Sequence, residues 1–423
     1  MIVYKFGGAS IASPERMRNL LPVIHESKKP LLLVVSAIGK ITNALEAIVA
    51  SAVSHNMDDA LEKLHHLEEL HNAYACAILS SVGREKVQHK LDELYTEIHW
   101  ALDDAALQSR EYIYDQVVCI GELLATTIFQ AFLEEQQCRS QWLDVRDIIK
   151  TNTQFGDPDV DQDKTQGLVQ KILIPALQQH DIVITQGFIG STADNASVTL
   201  GREGSDYSAA LLAAMCKADT LTIWKDVEGL KNADPKLFPN TVDIEKITYH
   251  EVIEMAYYGA QVIHPKTIKP LQNAGIPLYV KCFLDTDLKG TVICNDAAGL
   301  SYPPLIILKK DQVLLQITSR DFSFITEDNL SKIYTIFYHH HVKIHLIQNA
   351  AISLVVCVDQ MASRLQPLIE DLQQYYKVWR NEDVELLTIR HYTDAIIKEL
   401  TYGRTILLEQ KTRATLQLIM QPT

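Results

Sequence analysis

The sequence lacks most features that identify secreted, zinc-binding or membrane proteins. Its 423 residues include seven cysteines, and none of them forms a C-x-x-C pair. Scattered cysteines in an odd number are typical of reduced, buried thiols, so we expect neither a disulfide framework nor a zinc site. No apolar run is long enough to span a bilayer, and a strand-like segment follows the first methionine directly. The pattern predicts a cytoplasmic protein that is not bound to a membrane.

An excess of positive charge is also missing. The chain has 39 lysines and arginines against 53 aspartates and glutamates, a formal net charge of -14. Such a chain has no general attraction for nucleic acid, so we expect none as a partner. An anionic substrate must therefore be bound by a few cations in a local pocket. The length exceeds that of one ordinary core and predicts two or three domains.

Two segments resemble familiar site motifs but lack residues that those motifs require. Residues 39–42 (Gly-Lys-Ile-Thr) resemble the end of a Walker A loop, but Val34 replaces the glycine required five residues earlier. The run His339–His341 has no cysteine or acidic ligand at a matching spacing, which favours a solvated helix end. The sequence predicts neither a P-loop nor a metal centre built by protein side chains.

What the sequence does contain is an alternation of short apolar segments with helical patterns. Residues 31–35 are all apolar, which is typical of a strand covered on both faces. Other strand-like segments cover residues 2–6, 181–185, 220–224 and 278–280. Strands that alternate with helices predict a mainly parallel sheet between layers of helices.

A charged helical segment interrupts this alternation from about residue 43 to residue 109. We expect His65, His66 and His71 to lie on its solvent-exposed face. Tyr95 and Trp100 are expected to pack as core aromatics.

The glycine-rich loops stop between residues 295 and 304, and we place a domain boundary there, giving domains 1–298 and 299–423. Beyond it the pattern is β-α-β-β-α-β, the order of a ferredoxin-like sandwich. The predicted elements are strand 313–318, helix 329–339, strands 342–347 and 352–358, and helix 364–376. From Val384 the pattern is only strand, helix, strand, strand, so we predict a truncated second module.

Three segments carry residues suited to anionic ligands. Lys5 is followed by Gly7 and Gly8, which places a cation beside unshielded backbone N–H groups and suits a phosphate. A strand-to-loop turn with a snorkelling lysine explains the same residues equally well. Arg202 offers a planar fork for a carboxylate, and Asp206 follows near the start of a helix predicted over 209–215. Residues 224–236 follow another strand and are rich in cations.

These segments closely resemble the aspartokinase family, as do residues 120–124, 144–152 and 259–265. The match covers nearly all of residues 1–295 in the family's order, and its most specific part is residues 201–208. The resemblance implies the amino-acid kinase fold, a three-layer α/β/α structure with an eight-stranded, mainly parallel sheet. The tail from about Leu305 is similar to the paired ACT modules of aspartokinases, which implies a homodimer through that region.

The resemblance also implies the site. Lys5 would bridge the phosphates of ATP, Arg202 would bind the α-carboxylate of L-aspartate, and Glu122 and Asp206 would receive its ammonium. The implied catalytic residues are Lys5, Arg202 and Asp206; the substrate-binding residues are Ser36, Thr42, Glu122, Arg202 and Asp206; the ATP-binding residues are Lys5, Gly7, Gly8, Gly204, Lys225, Asp226, Lys231 and Lys236. Mg²⁺ would be held mainly by ATP.

The chemistry agrees with this assignment. A carboxylate acceptor has a pKa of roughly 4, so it is ionised at neutral pH and needs no general base. The remaining task is to bring two anions together, which requires cations and backbone amides. A buried acidic pair would reject substrates that lack an amine, because it would be left unpaired.

We therefore expect a monofunctional aspartate kinase that makes L-aspartyl-4-phosphate, the first step towards lysine, threonine and methionine. One alternative is another amino-acid kinase with a glutamate-type acceptor. A second is a non-catalytic amino-acid sensor, because Glu203 replaces a glycine of the family and Gln261 replaces a lysine. His345 stands where feedback-inhibited members carry an aspartate, which favours a structural role for the tail.

Overall fold

The chain divides into two compact units in a computed structural model that describes residues 1–261, 263–296, 299 and 301–421. The first unit comprises Met1–Leu230, Ile244–Ile253 and Ile263–Gly299, and the second comprises Lys231–Asp243, Glu254–Val262 and Leu300–Thr423. The second unit thus includes two segments that precede the predicted domain boundary. That boundary, between residues 298 and 299, stays a prediction, because residues 297, 298 and 300 lie outside the described residues.

Strands and helices alternate up to residue 296. The strands are β1 (Ile2–Phe6), β2 (Leu31–Val35), β3 (Ser140–Trp142), β4 (Ile182–Gln186), β5 (Ile189–Ser191), β6 (Ser197–Thr199), β7 (Thr220–Lys225), β8 (Leu230–Lys231), β9 (Asp243–Ile244), β10 (Lys246–Thr248), β11 (Leu278–Cys282) and β12 (Thr291–Cys294). The α-helices are α1 (Pro14–Asn19), α2 (Leu21–Glu26), α3 (Ile41–Val53), α4 (Met57–Ile78), α5 (Ser81–Asp103), α6 (Arg110–Val118), α7 (Ile120–Glu135), α8 (Gln162–Leu168), α9 (Ile174–Gln179), α10 (Gly204–Met215), α11 (Tyr249–Tyr258) and α12 (Pro265–Ala274). Short 3₁₀ turns cover Gly8–Ile11, Asp104–Ala106 and Val145–Asp147, and a π-helical turn covers Val169–Leu173.

The centre of the first unit is an eight-stranded sheet in the order β10-β12-β11-β7-β1-β2-β4-β3. Every neighbouring pair is parallel except β11 and β12. All five residues of β2 are fully buried, as a strand covered on both faces requires. The predicted mainly parallel sheet of eight strands is confirmed, and the parallel strands β1, β2, β4 and β7 end at the same edge.

Helices α6 and α7 form part of the core of this unit. Among the described residues, the stretch Arg110–Glu135 is the one that is long and apolar enough to cross a membrane. The expectation that no apolar segment reaches this length was therefore wrong. The most apolar window of the stretch is 83% buried inside the fold, as a core helix requires.

Two side chains of the long helices α4 and α5 differ in solvent exposure from what their residue types predicted. His71 is only 2% exposed and shares a face with Leu64, Leu67 and Tyr74, so its expected solvent exposure was wrong. Burial lowers the pKa of His71 to about 4. Trp100 is 67% exposed and is not a core aromatic. His65, His66 and Tyr95 lie as expected, the two histidines exposed and the tyrosine buried.

The second unit contains one antiparallel sheet of six strands in the order β14-β15-β13-β16-β18-β17. Its elements are β13 (Leu305–Ser319), α13 (Glu327–His339), β14 (Ile344–Asn349), β15 (Ser353–Asp359), α14 (Ala362–Gln373), β16 (Tyr376–Arg390), α15 (Asp394–Thr401), β17 (Ile406–Lys411) and β18 (Thr415–Met420). The predicted order of elements in the tail is thus present, and the sheet is consistent with ACT modules.

The strands β13 and β16 are each long enough to serve two modules. They pair along their whole lengths, from Leu305 opposite Arg390 to Ser319 opposite Tyr376. The first part of β13 therefore supplies a fourth strand beside the second half of β16, β18 and β17. The sequence predicted β13 only from residue 313, because the polar residues around Asp311 resemble a loop. Asp311 has a φ of 53° and lies at a bulge within a continuous strand.

The buried centre of the parallel sheet should dominate the stability of the first unit. We expect Leu33→Ala in β2 to lower the free energy of unfolding by about 2–5 kcal/mol, because the fully buried side chain leaves a cavity. Leu107→Ala is the matched control: Leu107 is 81% exposed, and its loss should change the free energy by no more than about 0.5 kcal/mol. Urea unfolding measures both. Equal effects of the two substitutions would contradict this account of the core.

Candidate active site

A cavity of about 360 Å³ lies in the first unit at the edge where β1, β2 and β7 end. This is the usual position of a ligand site in a parallel sheet, because the loops that follow neighbouring strands meet there. The lining residues come from the ends of these strands, from the loops after them and after β4 and β11, and from the starts of α3, α7 and α10. They are Lys5, Gly7, Gly8, Ala9, Ser10, Ser36, Thr42, Glu122, Phe188, Glu203, Gly204, Ser205, Asp206, Trp224, Lys225, Asp226 and Phe283.

The charged centre of the cavity is a carboxylate between two lysines. The Nζ atom of Lys5 lies 2.6 Å from Oδ1 of Asp206, and Nζ of Lys225 lies 3.7 Å from Oδ2. Burial by itself would raise the pKa of Asp206, but the ammonium groups of Lys5 and Lys225 outweigh burial and hold that pKa below its ordinary value. Asp206 is therefore ionised at neutral pH, and the three groups together carry one positive charge.

The second buried carboxylate, Glu122, has a raised pKa, whereas the pKa of Asp206 is lowered. Glu122, in the first turn of α7, is 2% exposed, and its Oε1 atom accepts a hydrogen bond from the backbone N–H of Ala37 at 3.2 Å. Its Oε2 atom has no hydrogen-bond partner among the described residues. Burial raises the pKa of Glu122 to about 8, although Ala37 and Lys5 act against this rise. Glu122 thus presents an unpartnered oxygen to which a cation could bind.

The loops after β1 and β2 are held together without intervening side chains. A Cβ atom on Gly8 would lie 2.7 Å from the carbonyl oxygens of Ala37 and Gly39, so any larger residue would separate the two loops. Gly204 is similarly close-packed, since a Cβ there would lie 2.8 Å from the ring of Phe188. The loop after β2 also contributes Ser36, whose hydroxyl donates to the Ser205 hydroxyl at 2.8 Å.

Most of the predicted site residues meet in this cavity, but three of them do not line it. Lys5, Gly7, Gly8, Ser36, Thr42, Glu122, Gly204, Asp206, Lys225 and Asp226 are the ones that do. Arg202 is exposed, Lys231 pairs with Asp243 at 2.6 Å, and Lys236 is exposed. The roles predicted for Arg202, Lys231 and Lys236 stay predictions.

Sequence reasoning missed several lining residues that lie next to recognised motifs. Phe188, Trp224 and Phe283 follow or end the strands β4, β7 and β11, and Ser205 lies in the first turn of α10. That helix begins at Gly204 and not near residue 209, so Asp206 lies within it. The signal for the three aromatic residues was their position at the carboxyl ends of parallel strands, where side chains face a ligand site.

The site is equipped to stabilise negative charge. Two lysines and the N-terminal turn of α10 face the cavity, and both are suited to phosphate or carboxylate groups. No group of three histidine, cysteine, aspartate or glutamate side chains that could hold a metal ion occurs among the described residues. The arrangement favours a reaction in which anions are brought together.

Comparisons with known proteins identify the family. Residues 1–282 match the model of the amino acid kinase family. The chain is 32% identical over 400 residues to lysine-sensitive aspartokinase 3 of Escherichia coli strain K12, which spans 92% of this chain and 86% of that protein. The structure of E. coli aspartokinase III in complex with lysine and aspartate (T-state) matches with a TM-score of 0.84 at 28% identity, over 99% of this chain and 95% of that one. The structure of the same enzyme in complex with aspartate and ADP (R-state) matches with a TM-score of 0.81 at 29% identity, over 100% and 96%. The chain therefore belongs to the aspartokinases, within the amino acid kinase family.

Proposed function

We propose that this chain transfers the terminal phosphoryl group of ATP to the side-chain carboxylate of L-aspartate and forms L-aspartyl-4-phosphate. The observation that carries this proposal is the convergence of Lys5, Glu122 and Asp206 on one cavity of an aspartokinase fold. The related E. coli enzyme has been crystallised with aspartate and ADP, which are a substrate and a product of this reaction.

Lys5 is the group that we place at the transferring phosphoryl. Its ammonium lies at the end of β1 beside Gly7 and Gly8, so it can reduce the repulsion between the phosphates and the incoming carboxylate. The attacking carboxylate is already ionised at neutral pH and needs no proton acceptor. Asp206 positions Lys5 and Lys225 through its two oxygens.

Glu122 is the group that we place at the ammonium of aspartate, because its Oε2 atom is buried and lacks a partner among the described residues. An ammonium that binds there would pair with a carboxylate that is otherwise costly to ionise. The predicted role of Asp206 at the same ammonium would require that Asp206 serve the substrate and both lysines. We therefore assign the larger share of amine recognition to Glu122.

Mg²⁺ is expected to accompany ATP. In the cavity, Asp206 is paired with lysines and Glu122 is held largely neutral by burial, so we do not expect these two carboxylates to hold the ion. The nucleotide phosphates would hold it, and bound Mg²⁺ would offset part of their charge. We also propose a cytoplasmic homodimer assembled through the second unit, whose sheet has β14 and β17 as its edges.

The proposed reaction has a direct assay. With ATP, Mg²⁺ and hydroxylamine, the purified protein should convert L-aspartate to its hydroxamate, because hydroxylamine traps acyl phosphates. L-Glutamate should give no product above background. Product from glutamate alone would indicate the glutamate-type alternative. Absence of product with every amino acid, despite measurable ATP binding, would indicate the non-catalytic sensor.

The role of Lys5 predicts a separation of turnover from binding. Lys5→Ala should reduce kcat at least about a hundredfold, because a charge-stabilising donor at the reacting group is lost. Aspartate binding, measured by calorimetry, should persist. Lys28→Ala is the control, since Lys28 is exposed and should leave kcat unchanged. Loss of aspartate binding in Lys5→Ala, comparable to the loss of turnover, would show that this role is wrong.

The raised pKa of Glu122 predicts how KM for aspartate depends on pH. Below a pKa of about 8 the carboxyl is mostly protonated and cannot pair with an ammonium, so KM should fall as pH rises. The decrease should approach about tenfold per pH unit below neutrality and level off above pH 8. Glu122→Gln should raise KM and remove this dependence. A KM that is constant from pH 6 to pH 9 in the unmodified enzyme would contradict the assignment.

A further inference from the structure

Glu203 lines the cavity but has no part in the mechanism above. It directly precedes α10 with a φ of 55°, the left-handed conformation that glycine adopts readily and a residue with a Cβ adopts rarely. Its side chain does not cap its own helix. Instead its Oε2 atom accepts a hydrogen bond from the backbone N–H of His264, the residue before α12, at 3.0 Å.

This hydrogen bond connects the first turns of two helices. The backbone carbonyl of Glu203 accepts hydrogen bonds from the N–H groups of Asp206 and Tyr207, each at 3.1 Å. Glu203 thus makes two kinds of contact. Its main chain binds the turn that contains Asp206, and its side chain binds the residue before α12. A shift of this turn would move Asp206 and, through the ion pairs, the ammonium groups of Lys5 and Lys225.

We propose that Glu203 is a positioning residue: its carboxylate ties the start of α10 to the start of α12 and thereby holds Asp206 and its two lysines in place for phosphoryl transfer. The inference rests on the proposed kinase function and extends it to a residue outside the predicted site.

The Glu203 carboxylate points towards the start of α12, which explains how an acidic residue can lie beside a cavity suited to anions. The N-terminal end of α12 carries a partial positive charge, and a carboxylate is the favoured acceptor there. A second contact binds the same helix, since Nζ of Lys266 lies 2.6 Å from Oδ1 of Asp157. Asp157 in turn lies against Gly201, two residues before Glu203.

Three substitutions distinguish the effect of the hydrogen bond between Glu203 and His264 from the effect of the backbone conformation at residue 203. Glu203→Gln keeps the length and an acceptor oxygen. Glu203→Asn tolerates the left-handed conformation but is one methylene shorter, and Glu203→Gly removes the side chain and relieves the backbone. We expect kcat within about twofold of the unmodified enzyme for Gln, and a decrease of about tenfold for Asn and Gly. Their thermal unfolding temperatures should equal or exceed that of the unmodified protein.

A second measurement does not depend on activity. Hydrogen exchange at the His264 amide should be equally slow in the unmodified protein and in Glu203→Gln, and faster in Glu203→Asn and Glu203→Gly. The proposal is overturned if Glu203→Gly keeps full kcat, if Gln loses as much kcat as Gly, or if lost kcat accompanies a lower unfolding temperature. If the unmodified protein forms no aspartyl hydroxamate, the proposed kinase function is wrong. Hydrogen exchange at the His264 amide still tests whether Glu203 holds the start of α12.

Discussion

The ion pair between Lys5 and Asp206 is the interaction on which the proposed active site depends. Both side chains are largely buried, and removing two charges from water is costly unless their geometry and further partners offset the loss. Lys225 supplies that further partner. Because two ammonium groups surround one carboxylate, one positive charge is left over inside a chain whose net charge is -14. An anion that enters the cavity can neutralise the remaining charge of these three groups, while Glu203 and Asp226 also line the cavity.

The parallel sheet makes this arrangement possible. Lys5 lies near the end of β1, Lys225 at the end of β7, and Asp206 on the helix α10, so the three groups come from distant parts of the sequence. β1 lies between β2 and β7 in the centre of the sheet, and its position is fixed by hydrogen bonds on both sides. A lysine on such a strand has a rigid backbone, which in the role proposed for Lys5 would limit the reorganisation required when charge moves during phosphoryl transfer.

The local sequence pattern predicted much of this structure. It failed where a feature depends on the surroundings of a residue in the fold and not on the residue type. Short strand-like segments predicted β1, β2, β4, β7 and β11, and glycine-rich motifs predicted most of the cavity. The beginning of β13 was missed because a bulge at Asp311 has the composition of a loop. The burial of His71 follows from its apolar neighbours on the helix face and not from residue type. The partner of the Glu203 carboxylate is a backbone amide 61 residues away, and no local pattern specifies such a contact.

The two buried carboxylates of the cavity differ in what they can do, although both lie within the same site. Lysines hold Asp206 ionised, whereas burial holds Glu122 largely neutral at pH 7. In the proposed binding mode, a substrate ammonium gains little at Asp206, where cations are already present. At Glu122 it would provide the charge that the buried carboxylate lacks, so binding and ionisation would favour each other. A dicarboxylic acid without an amine would leave Glu122 neutral and its Oε2 atom unpartnered. In the proposed binding mode, selectivity for an amino acid arises from Glu122, which forms no ion pair with a lysine among the described residues, while Asp206 positions its two lysines for phosphoryl transfer.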